Sequence, residues 1–179
     1  METPVLNAIK RRRNIMRFDD TPIEEEKMQA ILEAGRWAPS WANTQPWKFI
    51  VIKNKALKEE CTVSAPSVFT KGIKEAPVCI AIVVDTRADP YHYTEDGAAA
   101  AQNIALAAQS LGLCTGWMGI IDIKDHKNSI ENKVKQILKL PDAYRVVAII
   151  PVGYTSASFP EPNRKPLGEI VFIDKFSSH

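Results

Sequence analysis

Cysteine is scarce in this 179-residue chain: Cys61, Cys79 and Cys114 stand far apart and form no CxxC pair. An odd, dispersed set argues against a disulfide framework and fits reduced thiols in a cytoplasm. His92, His126 and His179 have no metal-ligand spacing with one another or with the cysteines. Glycine-rich phosphate loops are missing too. Neither GxGxxG nor GxxxxGK[ST] occurs, which excludes a Rossmann or P-loop site as a motif. No Ser/His/Asp or Cys/His grouping stands out, and Glu24, Glu25 and Glu26 read as charge at a helix N-terminus. The longest uncharged stretch, residues 97–121, is mostly alanine and contains Gln102, Asn103, Gln109 and Ser110. Its helical part ends by Gly112, too short for a bilayer, so no membrane partner is expected. The first 20 residues are dominated by Lys10, Arg11, Arg12, Arg13 and Arg17, a pattern that predicts no secretory signal. The net charge of +2 argues neither for nor against nucleic acid.

What is present suits one mixed α and β domain over residues 1–179, with 45% apolar and 25% charged residues. Val5, Leu6 and Ile9 space out a first helix that ends in the basic run. Thr21 followed by Glu24 forms a capping-box pattern with Pro22 at the first helical position, and Met28, Ile31, Leu32 and Gly35 mark the inner face. Strands are predicted over residues 49–52, 78–84 and 146–150, the last ended by Pro151, with a strand or extended turn over 113–121. Helices are predicted over 56–61, 69–75, 97–111 and around Ile130 to Leu138, with Gly112 as a left-handed cap. Residues 155–166 are rich in Pro and Ser and read as an extended arm leading to an isolated last strand over 169–173.

The stretch that organises these elements is Ala38-Pro39-Ser40-Trp41-Ala42-Asn43-Thr44-Gln45-Pro46-Trp47. Pro39 stops the preceding helix. Ser40, Asn43, Thr44 and Gln45 offer hydrogen-bonding hydroxyls and amides between the flat faces of Trp41 and Trp47. Such a loop suits a flat, amide-rich ligand, and it equally suits a helix-to-strand turn with packed tryptophans. Arg12 and Arg13, with Arg17 behind them, can grip a phosphate, and Asn14 adds an amide. The same run also suits a solvated helix end, or RNA or another polyanion bound by a non-catalytic module. Arg164 and Lys165 sit in a proline-braced segment near the other end. With no nucleophile or acid–base pair in view, the chemistry points to a cofactor.

Together, the run from Arg12 to Pro22 and the pattern PSxxNxQPW resemble the opening of the FMN-dependent nitroreductase family. The resemblance continues through residues 112–119, Pro151 to Tyr154, and Arg164 to Leu167, and so covers nearly the whole chain. It implies an α+β fold with a central, mainly antiparallel sheet flanked by helices. It also implies an intertwined homodimer in which each C-terminal strand joins the partner's sheet, with FMN at the dimer interface. By motif, Arg12, Arg13 and Asn14 would hold phosphate and ribityl groups, completed by Arg164 or Lys165. Pro39, Ser40, Trp41 and Asn43 would reach the flavin from the other subunit, and Trp117, Met118, Gly119 and Ile120 would line one ring face.

Two departures from the family pattern stand out. Met16 occupies a place near the flavin pyrimidine end where many members carry Arg or Lys, and the longer helical insertion of the larger nitroreductases is missing. The implied activity is transfer of reducing equivalents from NADH or NADPH, through flavin N5, to nitroaromatics, quinones or similar small acceptors by a ping-pong cycle. Reductive dehalogenation or flavin fragmentation is the alternative within the family. No nucleic-acid partner is implied.

Overall fold

The computed structural model describes residues 1–62, 67–121 and 129–176; His126 and His179 fall outside the described residues. Its spine is the apolar run Val78–Asp85 (β2), seven of whose eight residues are buried. A strand this uniformly apolar needs neighbours on both edges and cover on both faces. Trp47–Ile52 (β1) and Tyr144–Gly153 (β5) pair with it antiparallel on either side. Two short strands, Cys114–Thr115 (β3) and Met118–Gly119 (β4), both pair antiparallel with β5. The five strands therefore all pair antiparallel, and among the described residues β1 is left as a free edge.

Helices cover each face. On one, Glu25–Arg36 (α2) and Tyr93–Ser110 (α5) pack Met28, Ile31, Ala100, Ile104 and Ala108 against Ile80, Ile82 and Ile150. Small side chains let α5 lie close to the sheet: a Cβ at Gly97 would come within 2.7 Å of Val147. Gly112 ends this segment at φ +76, the left-handed cap that its place after α5 predicts. On the other face, Ser67–Glu75 (α4) and Ile130–Ile137 (α6) bring Ile73 and Val134 over Cys79, Ala81, Val83 and Ile149. Lys55–Glu60 (α3) runs beside α4 and sends the buried Lys58 amine to the carbonyls of Ala76 and Pro77. Truncating a core side chain such as Ile104 to alanine costs about 2–5 kcal/mol.

The first helix, Pro4–Arg11 (α1), has no buried residue, and Val5 and Ile9 are exposed at 66% and 48%. Apolar groups on an amphipathic helix left open in this way ask for cover.

Three sequence expectations change. Helix α2 starts at Glu25 rather than after Thr21, and it has no side-chain cap. The Asp19 amide is bonded to the Tyr154 carbonyl, which holds the chain extended there, and the Tyr154 hydroxyl draws Glu24 away. Strand β5 runs on through Pro151 to Gly153. The N and C=O of one strand residue face the same edge, and the Pro151 carbonyl accepts from the Gly116 amide. The absent N–H therefore faces the gap between β3 and β4, where no ladder bond is lost. Finally, residues 169–173 form no strand within this chain: Leu167–Glu169 is a 3-10 turn and the stretch beyond it is largely exposed. A strand needs a neighbouring edge, and no edge of this chain's own sheet pairs with it.

Candidate active site

Two clusters form, at opposite ends of α5. The first begins where α1 stops. Arg12 is its C-cap at ψ 135, and that turn outward sends the chain alongside β3. Asn14 makes a parallel bridge with Thr115, and the Ile15 amide donates to the Thr115 carbonyl at 2.9 Å. The Asn14 side-chain oxygen accepts from the Trp117 amide at 2.6 Å. The structure thus brings Asn14, directly after Arg12 and Arg13, against the segment that holds Trp117, Met118, Gly119 and Ile120.

Within this cluster the two arginines differ. Arg13 donates through Nη1 to the carbonyls of Lys10 and Arg12, tying one arm of its guanidinium to the end of α1. Arg12 makes no side-chain hydrogen bond among the described residues. Trp117 is half-buried, Met118 and Ile120 are buried at 3% and 4%, and Gly119 is exposed. A Cβ on Gly119 would meet nothing nearer than the Trp117 indole nitrogen, at 4.0 Å. A flat ring can therefore approach the backbone there.

Met16 is half-buried between two glycines. A Cβ at Gly72 would lie 2.6 Å from its Sδ, and one at Gly116 would lie 3.1 Å from its Cε. A Cβ at Gly116 would also lie 2.6 Å from the Ile15 carbonyl oxygen. Next to this junction is a cavity of about 370 Å³ lined by Arg11, Arg13, Gln109, Cys114 and Phe159.

The second cluster is the tryptophan loop. Pro39 and Ser40 run extended, then residues Trp41–Asn43 form a 3-10 turn. Ala42, Asn43 and Gln45 have φ of 44, 58 and 48, three left-handed positions without glycine, with right-handed Thr44 between the last two. Each such residue costs on the order of 1–3 kcal/mol unless its surroundings over-determine it. The Ser40 hydroxyl accepts from the Gln45 amide at 3.0 Å, and the Trp41 amide donates to Asp96 Oδ1 at 3.0 Å. The Trp41 ring stacks on His92 at 4.4 Å. Two buried oxygens here, Thr44 Oγ1 and Asp96 Oδ2, have no partner among the described residues. Burial raises the Asp96 carboxyl above its ordinary value, against the Trp41 amide, which lowers it.

Asp96 and Gln109 mark the two clusters on α5, and they lie about 20 Å apart at 1.5 Å rise per residue. Arg164 and Lys165 join neither. Both are exposed, and among the described residues the Arg164 guanidinium donates only to the neighbouring Asn163 carbonyl. Sequence reasoning missed Asp89, His92 and Asp96, which carry the second loop. The available signal was Asp89 before Pro90 with His92 three residues on, an Asx-turn pattern.

A family model described as the nitroreductase family matches residues 9–154. The chain belongs to that family. A Methanothermobacter thermautotrophicus protein provisionally named NADH dehydrogenase/NAD(P)H nitroreductase is 35% identical over 154 residues, 84% of this chain and 76% of its own. A provisionally named nitroreductase of Desulfovibrio desulfuricans, solved in complex with FMN, matches with a TM-score of 0.81 at 31% identity. That match covers 99% of this chain and 100% of the other. The FMN-dependent nitroreductase of Clostridium difficile R20291 matches at 0.83 with 29% identity, over 94% and 98% of the two chains. The antiparallel sheet between helical layers is the nitroreductase fold. No helix among the described residues is long and apolar enough to cross a membrane.

Proposed function

We propose that the chain is an NAD(P)H-dependent FMN oxidoreductase, folded as one unit over residues 1–179 and working in the cytoplasm as a homodimer. The observation that carries this reading is the Asn14–Trp117 junction, which joins the basic run, whose Arg12 has no side-chain partner among the described residues, to an open, apolar-walled backbone. These groups fit FMN: a phosphate dianion wants guanidinium, and a flat ring wants apolar walls edged by amides.

Arg12 takes the phosphate, and Asn14 fixes the Trp117 amide while its own amide group faces the ribityl chain. Trp117 to Ile120 supply the wall against one ring face. Met16 adds no charge near the ring. Arg164 and Lys165 close on the phosphate once the arm is seated on a second subunit.

The loop Pro39 to Asn43 sits at the Asp96 end of α5, about 20 Å from the Gln109 end where the basic run lies, so it serves a partner's site rather than its own. Antiparallel packing of two α5 helices about a twofold axis puts each loop beside the other subunit's Asn14 junction. The bare α1, the free β1 edge and the exposed Ile170, Val171 and Ile173 are the surfaces such a dimer would bury, with residues 169–173 joining the partner's sheet. When bound, FMN supplies a two-electron carrier that NADH or NADPH reduces and that nitroaromatics, quinones or similar acceptors reoxidise in alternating half-reactions. The protein's part is to orient the ring, exclude side reactions and set its potential.

The test is steady-state turnover of FMN-loaded protein with both nicotinamides against nitro, quinone and halogenated aromatics. Turnover with nitro or quinone acceptors supports the reading. Turnover confined to halogenated substrates would replace it with dehalogenation, and a colourless protein that takes up no FMN would end it.

A further inference from the structure

The Trp41 loop is strained at three positions, so its shape depends on what holds it. Its links to the body are the Trp41 amide bond to Asp96 and the stack of the Trp41 ring on His92, centroids 4.4 Å apart and planes 23° from parallel. The indole is otherwise 58% exposed. His92 is itself held. Its Nδ1 lies 3.0 Å from Asp89 Oδ2, and Asp89, only 3% exposed, accepts from the Tyr91 and His92 amides. Burial would raise the Asp89 carboxyl, but those two amides and the imidazole outweigh it and hold it below its ordinary value.

We propose that His92, fixed by Asp89, is a positioning residue that clamps the Trp41 loop, and that the charge on its imidazole sets how firmly the loop is held. The inference rests on the reading that this loop serves the flavin site.

The direction follows from the surroundings. With Nδ1 directed at a carboxylate, the other ring nitrogen is the one that gains or loses a proton. Among the described residues, the charged groups acting on the ring are Asp89 on the preceding turn and Asp96 in the first turn of α5, both acidic, and the Tyr91 ring meets it edge-on at 6.4 Å. Trp41 closes the opposite side with an uncharged π face. An imidazolium strengthens both the bond to Asp89 and the contact with the indole. Protonating the imidazole therefore tightens the clamp.

Two measurements test this. In apo-protein, the indole N–H resonance of Trp41, assigned by its loss in Trp41→Phe, is followed from about pH 8 to 5. It is expected to move in the wild type and to stay flat in His92→Phe, which keeps a ring in the stack but carries no charge. In the second, FMN affinity is titrated at both ends of that range. His92→Ala is expected to bind about tenfold more weakly. His92→Phe should match the wild type at the high end and lack the severalfold tightening at the low end. Because FMN's own phosphate titrates in this range, the quantity read is the difference between wild type and His92→Phe. A pH-independent Trp41 resonance in the wild type, or the same pH dependence of affinity in both proteins, overturns the proposal. If the wild type takes up no FMN, the flavin reading fails, while the apo resonance still decides whether His92 clamps Trp41.

Discussion

Asn14 and Trp117 are 103 residues apart in sequence, and a 2.6 Å hydrogen bond from the Trp117 amide to the Asn14 side chain joins them. That bond fixes the angle between the end of the basic run and the wall formed by residues 117–120. Asn14→Ala leaves the Trp117 amide without its acceptor, an expected loss of about 0.5–1.5 kcal/mol in FMN binding. Titration of apo-protein with FMN measures it. Unchanged affinity would mean that the junction is only structural.

The two neighbouring arginines should not be equivalent. Arg13 already bonds the last carbonyls of α1, whereas Arg12 has no side-chain hydrogen bond among the described residues. Arg12→Ala should therefore cost roughly 1.5–3 kcal/mol of FMN affinity, the range for a charged hydrogen bond. That is about one to two decades. Arg13→Ala should lower the melting temperature more than it lowers affinity. The reverse ranking, read from FMN titrations and thermal melts of both variants, would give the phosphate to Arg13.

Gly116 has no room for a side chain. A Cβ there would come 2.6 Å from the Ile15 carbonyl oxygen and 2.7 Å from Pro151 Cγ. A backbone carbonyl, on a residue whose own amide is bonded to Thr115, cannot step aside as a flexible side-chain tip can. Gly116→Ala should cost about 1–3 kcal/mol of stability, as overpacking does, and should weaken FMN binding by spreading the Asn14–Thr115 bridge. A thermal melt indistinguishable from wild type would show that the turn absorbs the methyl group.

The acid limb of stability should carry a mark of Glu24. Its carboxylate accepts from the Tyr154 hydroxyl and is lowered from 4.5 to about 2, by that bond first and by Lys27 further down. A carboxylate lowered on folding contributes stability above its unfolded value and loses it as the pH falls through its folded one. The window is thus from pH 4.5 down to about 2. The group is exposed, so the effect is small. Tyr154→Phe should move the acid midpoint, followed by circular dichroism, slightly upward. A downward shift would show that the bond does not stabilise the fold.

How legible this protein is from its sequence depends on the range of the interactions involved. The unbroken apolar run 78–84 and the glycine at 112 each state a local requirement, and the strand and the left-handed cap stand where those residues predict. The capping-box pattern at Thr21 is also local, but a long-range competitor, Tyr154, overrides it. Pro151 stays inside β5 because its missing donor faces a gap that only the layout of β3 and β4 creates. Of the candidate site, the basic run and the tryptophan loop are visible as motifs. The 20 Å between them on α5, about thirteen residues of rise, is not visible. Nor is the Asp89–His92 support under Trp41, since the stack joins residues 51 positions apart without any shared pattern.

That separation yields the most discriminating prediction. If each site takes Arg12 from one subunit and the loop from the other, FMN content should depend on association. Truncation after Leu167 removes residues 169–173, the segment proposed to cross to the partner, and should lose both dimer and yellow colour. A stable yellow monomer by light scattering would overturn the shared site. Mixing goes further. One subunit carries Arg12→Ala, and the other carries Ser40→Ala with Asn43→Ala. A heterodimer then has one site bearing every defect and one site bearing none. Equal mixing after dissociation should restore about a quarter of wild-type FMN sites, since random pairing of a twofold dimer makes half the dimers mixed. Sites built within one chain give no intact copy in any pairing, so their FMN content would stay at the level of the two parent variants.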